Sequence, residues 1–293
     1  MRVLVTGATG FLGRHVVDAL RARCAEVVAI GRSAHPARQG VTSIEADLLA
    51  DADLTAAIAD SGAETLLHLA WVTEHGAFWT SPLNDAWVEA TERLVLAFCR
   101  AGGARVVGVG TCAEYDWSAP CCVEESTPLA PATPYGVAKD RARQSTESIA
   151  DAHGVASAWA RVFLPIGAGE PPRKLVPTLI DVLRGAQPVI AVDGMAARDF
   201  LHASDVGDAL AHVALSDITG PINVCAGVPT VIDALVAHLA SRLGADPALL
   251  RARYTERPGD PRALYGDATR LRASGWTPAL SIQGALDRIL AGG

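Results

Sequence analysis

Short apolar runs alternate with helical stretches through the first half of the chain. The first run, residues 2–6, reads Arg-Val-Leu-Val-Thr and predicts a buried strand. Similar runs occupy residues 27–30, 65–70 and 105–109, and residues 15–20 have helical spacing. Strands that alternate with helices are typical of an α/β fold with a doubly wound parallel sheet, which binds ligands at the carboxyl ends of its strands.

After Phe163 the alternation loosens. Residues 165–177 are rich in proline and glycine, and helices then mix with short strands such as residues 222–224. We therefore predict a Rossmann-type dinucleotide-binding domain made of residues 1–165 and a returning segment at about 198–226. Residues 166–197 and 227–293 would form a smaller mixed α/β lobe for the substrate.

Composition and charge exclude several other classes of protein. Half of the 293 residues are hydrophobic, yet no run reaches the 18 apolar residues of a membrane span. The first strand begins at residue 2, which leaves no room for a signal peptide. The six cysteines have irregular spacing without a metal pattern, and the net charge of −7 argues against a nucleic-acid surface. We expect a cytoplasmic protein with reduced thiols, no metal, and neither a membrane nor a nucleic acid as partner.

A glycine-rich turn joins the first strand to the first helix. Gly7 permits the tight turn, Gly10 lets the backbone approach a pyrophosphate, and Gly13 lets the helix lie close to the strand. The helix amino terminus presents N–H groups and a positive dipole end to the phosphates. The candidate cofactor contacts in this turn are Gly7, Thr9, Gly10, Phe11, Leu12 and Gly13.

The end of the second strand bears on the choice of nucleotide. NAD-binding folds usually carry an acidic residue there, but this chain continues with Gly31, Arg32 and Ser33. Since a guanidinium suits a 2′-phosphate, NADP(H) is the expected cofactor and NAD(H) the less favoured one. Asp47 and Leu48 would follow the third strand, near the adenine.

Tyr135 and Lys139 lie four residues apart, the spacing that puts two side chains on one face of a helix. Lys139 and Lys174 are the only lysines in the sequence. A lysine kept in an arginine-rich background suggests a site that needs a compact ammonium. An adjacent cation stabilises a phenolate, so the pair is a candidate proton shuttle.

These motifs together resemble the extended short-chain dehydrogenase/reductase family, which contains nucleotide-sugar epimerases, dehydratases and reductases. The resemblance covers the whole chain and rests on six segments in the family's order. They are the glycine turn, His68-Leu69-Ala70, Pro134-Tyr135-Gly136 with Lys139, residues 198–202 (RDFLH), residues 257–260 (RPGD) and residues 275–278 (GWTP).

The resemblance implies a role for each matching residue. Tyr135 would be the general acid or base, Lys139 would hold the nicotinamide ribose, and Thr111 would donate to the substrate oxygen. The remaining implied contacts are Leu69 and Ala70 to the cofactor, Arg198 and Arg257 to a diphosphate, and Asp260 near the nucleoside ribose. Lys174 is a further candidate for a substrate contact. Relatives are commonly dimers through the helix of Tyr135 and its neighbour, so we expect a homodimer.

Two family asparagines are replaced here. Trp87 stands at one of these positions and Leu164 at the other, and Asn84 is a candidate substitute one turn before Trp87. The substrate pocket therefore differs from that of a typical epimerase. Cys112, next to Thr111, is expected to pack rather than to act as a nucleophile.

The reaction favoured by these residues is the reduction of a ketone. A 4,6-dehydratase needs an acid–base pair directly after the threonine, where this chain has Cys112 and Ala113. Arg32 favours a dissociable NADPH over the retained NAD of an epimerase. The substrate would be a nucleotide-activated deoxysugar with a 4-keto group. A nucleotide-sugar epimerase, a reductase of a non-nucleotide ketone and an NADP-binding redox sensor stay open as alternatives.

Overall fold

The computed structural model describes residues 1–51, 53–72, 74, 76–251 and 261–292. The strands, in chain order, are β1 (Arg2–Thr6), β2 (Glu26–Gly31), β3 (Val41–Glu45), β4 (Thr65–His68), β5 (Arg105–Thr111), β6 (Cys121–Cys122), β7 (Ala156–Val162), β8 (Leu164–Ile166), β9 (Ala197–Arg198), β10 (Phe200–His202), β11 (Gly220–Val224), β12 (Thr230–Val231) and β13 (Ala263–Gly266). The helices are α1 (Gly13–Ala22), α2 (Thr55–Ser61), α3 (Leu83–Arg100), α4 (Pro134–Ala152), α5 (Leu175–Leu183), α6 (Ala203–Leu215), α7 (Ile232–Leu243), α8 (Ala248–Arg251), α9 (Thr269–Ala273) and α10 (Ile282–Leu290).

Seven parallel strands form the main sheet in the order β11-β7-β5-β4-β1-β2-β3. The order reverses beside β1, which places the switch point of the sheet at the glycine turn that follows this strand. The predicted Rossmann-type parallel sheet is confirmed, with β11 as the strand that returns to it.

Alternate residues of the strands enter two different cores. Val3 and Val5 of β1 pack with α1 and α6, whereas Leu4 between them packs with α2 and α3. This period of two explains why the strands read as continuous apolar runs, since both faces of the sheet are covered by helices.

The later part of the chain forms a separate hydrophobic core. Apolar residues of α5, α7 and α10 pack there with Ile166 of β8 and Phe200 of β10. Two further sheets accompany it, the pair β8-β10 and the four short strands β12-β9-β13-β6. The division of the chain at residues 165, 198 and 226 stays a prediction. In the described parts of the chain, no helix combines the length and the apolarity that crossing a membrane requires.

Candidate active site

The glycine turn after β1 is tightly folded against the end of β4. Gly7 has a φ of 68°, and a Cβ on it would lie 3.0 Å from the amide nitrogen of Ala70. A Cβ on Gly13 would lie 2.0 Å from the carbonyl oxygen of Gly7, so the turn accepts only glycine there. Leu12 at the start of α1 makes no side-chain capping bond, and the N–H groups of Arg14 and His15 donate to the carbonyls of Gly10 and Leu12. The positive end of the helix dipole still faces the turn. Thr9, Gly10, Phe11 and Leu12 border the same turn, and this arrangement fits a dinucleotide pyrophosphate.

His68 ties the glycine turn to the sheet. Its Nδ1 lies 2.7 Å from the Thr6 hydroxyl, which accepts the N–H groups of Leu69 and Ala70 at 3.1 and 2.9 Å. Its Nε2 lies 2.9 Å from the Thr91 hydroxyl, which itself donates to the carbonyl of Trp87. The Thr6 hydroxyl therefore donates to Nδ1, and Nε2 carries the proton of a neutral ring. Burial, and then the charge of Lys139, lower the pKa of His68 to about 3.

These bonds also end β4 earlier than the sequence indicates. The apolar run 65–70 predicts a strand over its whole length, but the strand stops at His68. The backbone N–H groups of Leu69 and Ala70 turn to the Thr6 hydroxyl instead of continuing the strand. Both residues consequently border the glycine turn, and their contact with the cofactor stays a prediction.

The residues predicted to select the nucleotide lie at the same edge of the sheet. Arg32 and Ser33 follow β2 and are exposed. Asp47 follows β3, and its carboxylate accepts the N–H of Leu49 at 3.0 Å. Leu48 is buried. Because β3, β2 and β1 are neighbours, the carboxyl ends of all three strands meet the glycine turn.

Thr111 and Tyr135 are brought together where α4 begins. Thr133 caps this helix by accepting the N–H of Gly136 at 3.1 Å, and Pro134 occupies its first turn. A Cβ on Gly136 would lie 2.4 Å from the carbonyl oxygen of Ala113, so the helix approaches the turn after β5 closely. The Thr111 side chain lies beside the Tyr135 hydroxyl.

Burial raises the pKa of Tyr135 well above its usual range, and the neighbouring Thr111 side chain offsets this only in part. Sequence reasoning expected Lys139 to lower this pKa, but burial is the largest cause and raises it. Two aromatic rings produce that burial. The ring centroids of Phe78 and Trp79 lie 4.9 and 5.6 Å from that of Tyr135. The phenol is therefore protonated at neutral pH, the form that a proton donor requires.

Lys139 is almost fully buried one helical turn from Tyr135. Its Nζ donates to the carbonyl of Val109 at 2.9 Å and lies 3.9 Å from the ring centroid of Trp71. Burial lowers the pKa of Lys139 to about 7, and the Glu114 carboxylate acts against that shift.

Glu114 organises the backbone at Thr111. Its carboxylate accepts the N–H of Thr111 at 2.8 Å, Nε1–H of Trp159 at 3.0 Å and Nε–H of Arg161 at 2.7 Å. The Thr111 side chain accepts the N–H of Ala113 in return. Sequence reasoning missed this role, although Thr-x-x-Glu at residues 111–114 is the spacing of a capping box. Cys112 is buried, and burial raises the pKa of its thiol to about 12, consistent with packing.

The predicted substrate contacts are distributed unevenly. Lys174 precedes α5, and its Nζ lies 5.9 Å from the ring centroid of Phe78, the ring that packs edge-on against Tyr135. Arg198 on β9 is buried and donates to the carbonyl of Ala197 at 2.9 Å. Arg257 and Asp260 lie outside the described residues, so the predicted diphosphate clamp stays a prediction.

The replacements of the family asparagines have structural consequences. Trp87 stacks on Trp71 with 6.1 Å between ring centroids. Asn84 accepts Nε1–H of Trp71 at 2.9 Å and donates to the carbonyl of Phe78 at 2.8 Å. Its bonds thus fix Trp71 and the Phe78 segment, which differs from the direct substitution considered from the sequence. Leu164 of β8 packs against the core of the later part of the chain.

Comparison with known proteins agrees with this fold. The sequence model of the NAD dependent epimerase/dehydratase family matches residues 3–225. A UDP-glucose 4-epimerase of Azospirillum brasilense is 30% identical over 94% of this chain and 87% of its own length. A dTDP-6-deoxy-L-talose 4-dehydrogenase (NAD(P)(+)) of Kitasatospora kifunensis is also 30% identical, over 97% and 93%. The structure of MoeE5 in complex with UDP-glucose and NAD aligns with a TM-score of 0.84 at 30% identity, covering 100% of this chain and 98% of that one.

Proposed function

Because the chain belongs to the NAD dependent epimerase/dehydratase family, whose members are NAD(P)-dependent enzymes of the short-chain dehydrogenase/reductase type, we propose that it is an NADPH-dependent ketoreductase. Its substrate would be a nucleotide-activated deoxysugar with a ketone at C4. The observation that carries the proposal is the placement of the Tyr135 phenol beside the Thr111 side chain, one helical turn from the buried Lys139 ammonium.

The two hydroxyls divide the work on the substrate carbonyl. The Thr111 hydroxyl donates to the carbonyl oxygen and stabilises the charge that develops there. Tyr135 gives its proton to the emerging alkoxide, and the Lys139 ammonium one turn away favours the phenolate left behind. NADPH, when bound, would supply the hydride.

Replacement of Tyr135 by phenylalanine tests its role as the proton donor. In Tyr135→Phe we expect kcat for ketone reduction to fall by about a hundredfold or more, because general acid catalysis is worth that much. Cofactor affinity should stay within about threefold of the unmodified enzyme, since the ring and its packing remain. A variant that keeps more than about a tenth of the activity would remove Tyr135 from the mechanism.

The preference for NADPH rests on the exposed guanidinium of Arg32 at the end of β2. We expect Arg32→Ala to weaken NADPH binding by about tenfold and to leave NADH binding unchanged, because the 2′-phosphate loses a charged hydrogen bond. Arg100→Ala, an exposed arginine at the other end of the sheet, is the matched control for calorimetric titration. Equal losses for both nucleotides would contradict the assignment.

Titration with a panel of nucleoside diphosphates identifies the nucleotide part of the substrate. Affinity for UDP, TDP, CDP or GDP supports a nucleotide sugar, as does the relative that acts on a dTDP-deoxysugar. Strong NADPH binding without affinity for any of the four would favour a non-nucleotide ketone.

A nucleotide-sugar 4-epimerase is the second candidate, favoured by the relative of that name and by the NAD-bound structural neighbour. An epimerase reoxidises and reuses its cofactor, so it would retain tightly bound nucleotide after purification and would interconvert C4 epimers without net consumption of NADPH. We propose a homodimer under either activity. Leu83 and Val137 are exposed apolar residues in the first turns of α3 and α4, the two helices expected to form the interface.

A further inference from the structure

Trp71 lies directly against the ammonium of Lys139 on α4. The ring centroid is 3.9 Å from Nζ of Lys139, well within the distance at which an aromatic face attracts a cation. Trp71 and Lys139 are both buried, so little water screens the contact. The ammonium therefore has two fixed partners, the indole face and the carbonyl of Val109.

The plane of the indole is itself held in place. Nε1–H of Trp71 donates to the side-chain oxygen of Asn84, which is buried and fixed by its own bond to the carbonyl of Phe78. Trp87 of α3 stacks on Trp71. A ring held on its edge and on its stacked neighbour keeps one orientation, with a face turned to Lys139.

We propose that Trp71 is a positioning residue for Lys139, whose indole face holds the lysine ammonium charged and in one place beside the reacting groups. The other groups that face Lys139 do not replace this contact. His68 on β4 is neutral, and Glu114 on the turn after β5 is already bonded to Thr111, Trp159 and Arg161. Tyr135, on the same helix, is a protonated phenol.

The chain offers a direct test, because Lys139 and Lys174 are its only lysines. Protein labelled with ¹³C at lysine Cε gives two resonances, which Lys174→Arg assigns, and each reports the titration of its own ammonium. The test replaces the six tryptophans with 5-fluorotryptophan and then with 5,7-difluorotryptophan. Fluorine withdraws electron density from the ring face at nearly constant volume, so it weakens the attraction without opening a cavity.

We expect the pKa of Lys139 to fall by about 0.3 pH unit for each fluorine, as the charged form loses part of its stabilisation. The Lys174 resonance, whose nearby ring is Phe78, should not respond. Trp71→Phe with the same fluorinated residues at the five other positions is the matched control, and its Lys139 resonance should be insensitive to fluorine.

An unchanged Lys139 titration in the fluorinated protein would overturn the inference, as would an equal shift in the Trp71→Phe background. Near-UV circular dichroism checks that each protein is folded. If the difluorinated protein does not fold, the monofluorinated protein alone is compared with the unmodified one. A role of Lys139 in hydride transfer rests on the proposed function. The measured pKa of Lys139 does not depend on that function. A Lys139 response without a matching change in the pH–rate profile would count against the proposed function alone.

Discussion

His68 is a buried, neutral ring bonded to two threonine hydroxyls, and its pKa is lowered to about 3. In the unfolded chain a histidine titrates near its ordinary value of about 6.5. Between these two values the unfolded state binds more protons than the folded state, so stability falls as the pH falls. Above about pH 7 both states are neutral, and the residue adds no pH dependence.

The substitution His68→Asn isolates this effect, since an amide both donates and accepts hydrogen bonds without titrating. Between pH 7 and pH 5 we expect the unmodified protein to lose about 2 kcal/mol more unfolding free energy than the variant. Urea denaturation at a series of pH values measures the difference, because all other groups titrate in both proteins. Parallel pH profiles would mean that the folded protein accommodates a charged His68.

Glu114 and Arg161 form an ion pair that is almost completely removed from solvent. Removal of the carboxylate leaves the Arg161 charge buried and Trp159 Nε1–H without its acceptor. We expect Glu114→Ala to lower the free energy of unfolding by about 3–5 kcal/mol. Glu147→Ala breaks the partly exposed pair with Arg143 on α4 and should cost less than about 1 kcal/mol. Similar losses for the two variants, measured by urea denaturation, would show that Glu114 is not an essential partner.

At the scale of elements, two glycines in the first turns of helices differ in how much space surrounds them. Gly13 of α1 has no room for a side chain, whereas Gly284 of α10 has. A Cβ on Gly13 would lie 2.0 Å from the Gly7 carbonyl, whereas one on Gly284 in the first turn of α10 finds its nearest atom at 3.5 Å. We expect Gly13→Ala to weaken NADPH binding by about a hundredfold or more and to destabilise the fold, because the turn must open. Gly284→Ala should bind NADPH normally and gain up to about 1 kcal/mol. Calorimetry and urea denaturation decide both, and normal binding by Gly13→Ala would show that the turn can relax.

The elements that sequence reasoning found are those whose signal is local. The strands around the glycine turn are buried on both faces, so they appear as apolar runs, and the turn itself is specified by glycine positions. The two- and three-residue strands β9, β10 and β12 are too short for a periodic pattern and exist through pairing with distant segments. Trp71 was missed for the same reason, since its contact with Lys139 depends on how β4 and α4 meet in the fold.

At the scale of the whole molecule, Asp199 joins segments that are far apart in the chain. It lies between β9 and β10, and its carboxylate accepts the N–H groups of Ala226, Gly227 and Gly266 at 2.7, 2.9 and 3.2 Å. One side chain thus connects the end of β11 in the main sheet to β13 in the small one. Its burial makes the loss of these bonds expensive, because unpaired buried N–H groups cost about 1–3 kcal/mol each.

We expect Asp199→Ala to loosen the later part of the molecule while the main sheet stays folded. Amide hydrogen exchange should lose protection at residues 164–166, 197–202 and 263–266, and β1, β4 and β5 should keep theirs, because the carboxylate ties the first set together. Asp116→Asn, a partly exposed position bonded to the N–H of Ser118, is the control and should exchange like the unmodified protein. Selective loss would show that these short strands unfold separately from the main sheet. Loss of protection in β1 and β4 as well would mean that the two cores unfold as one cooperative unit.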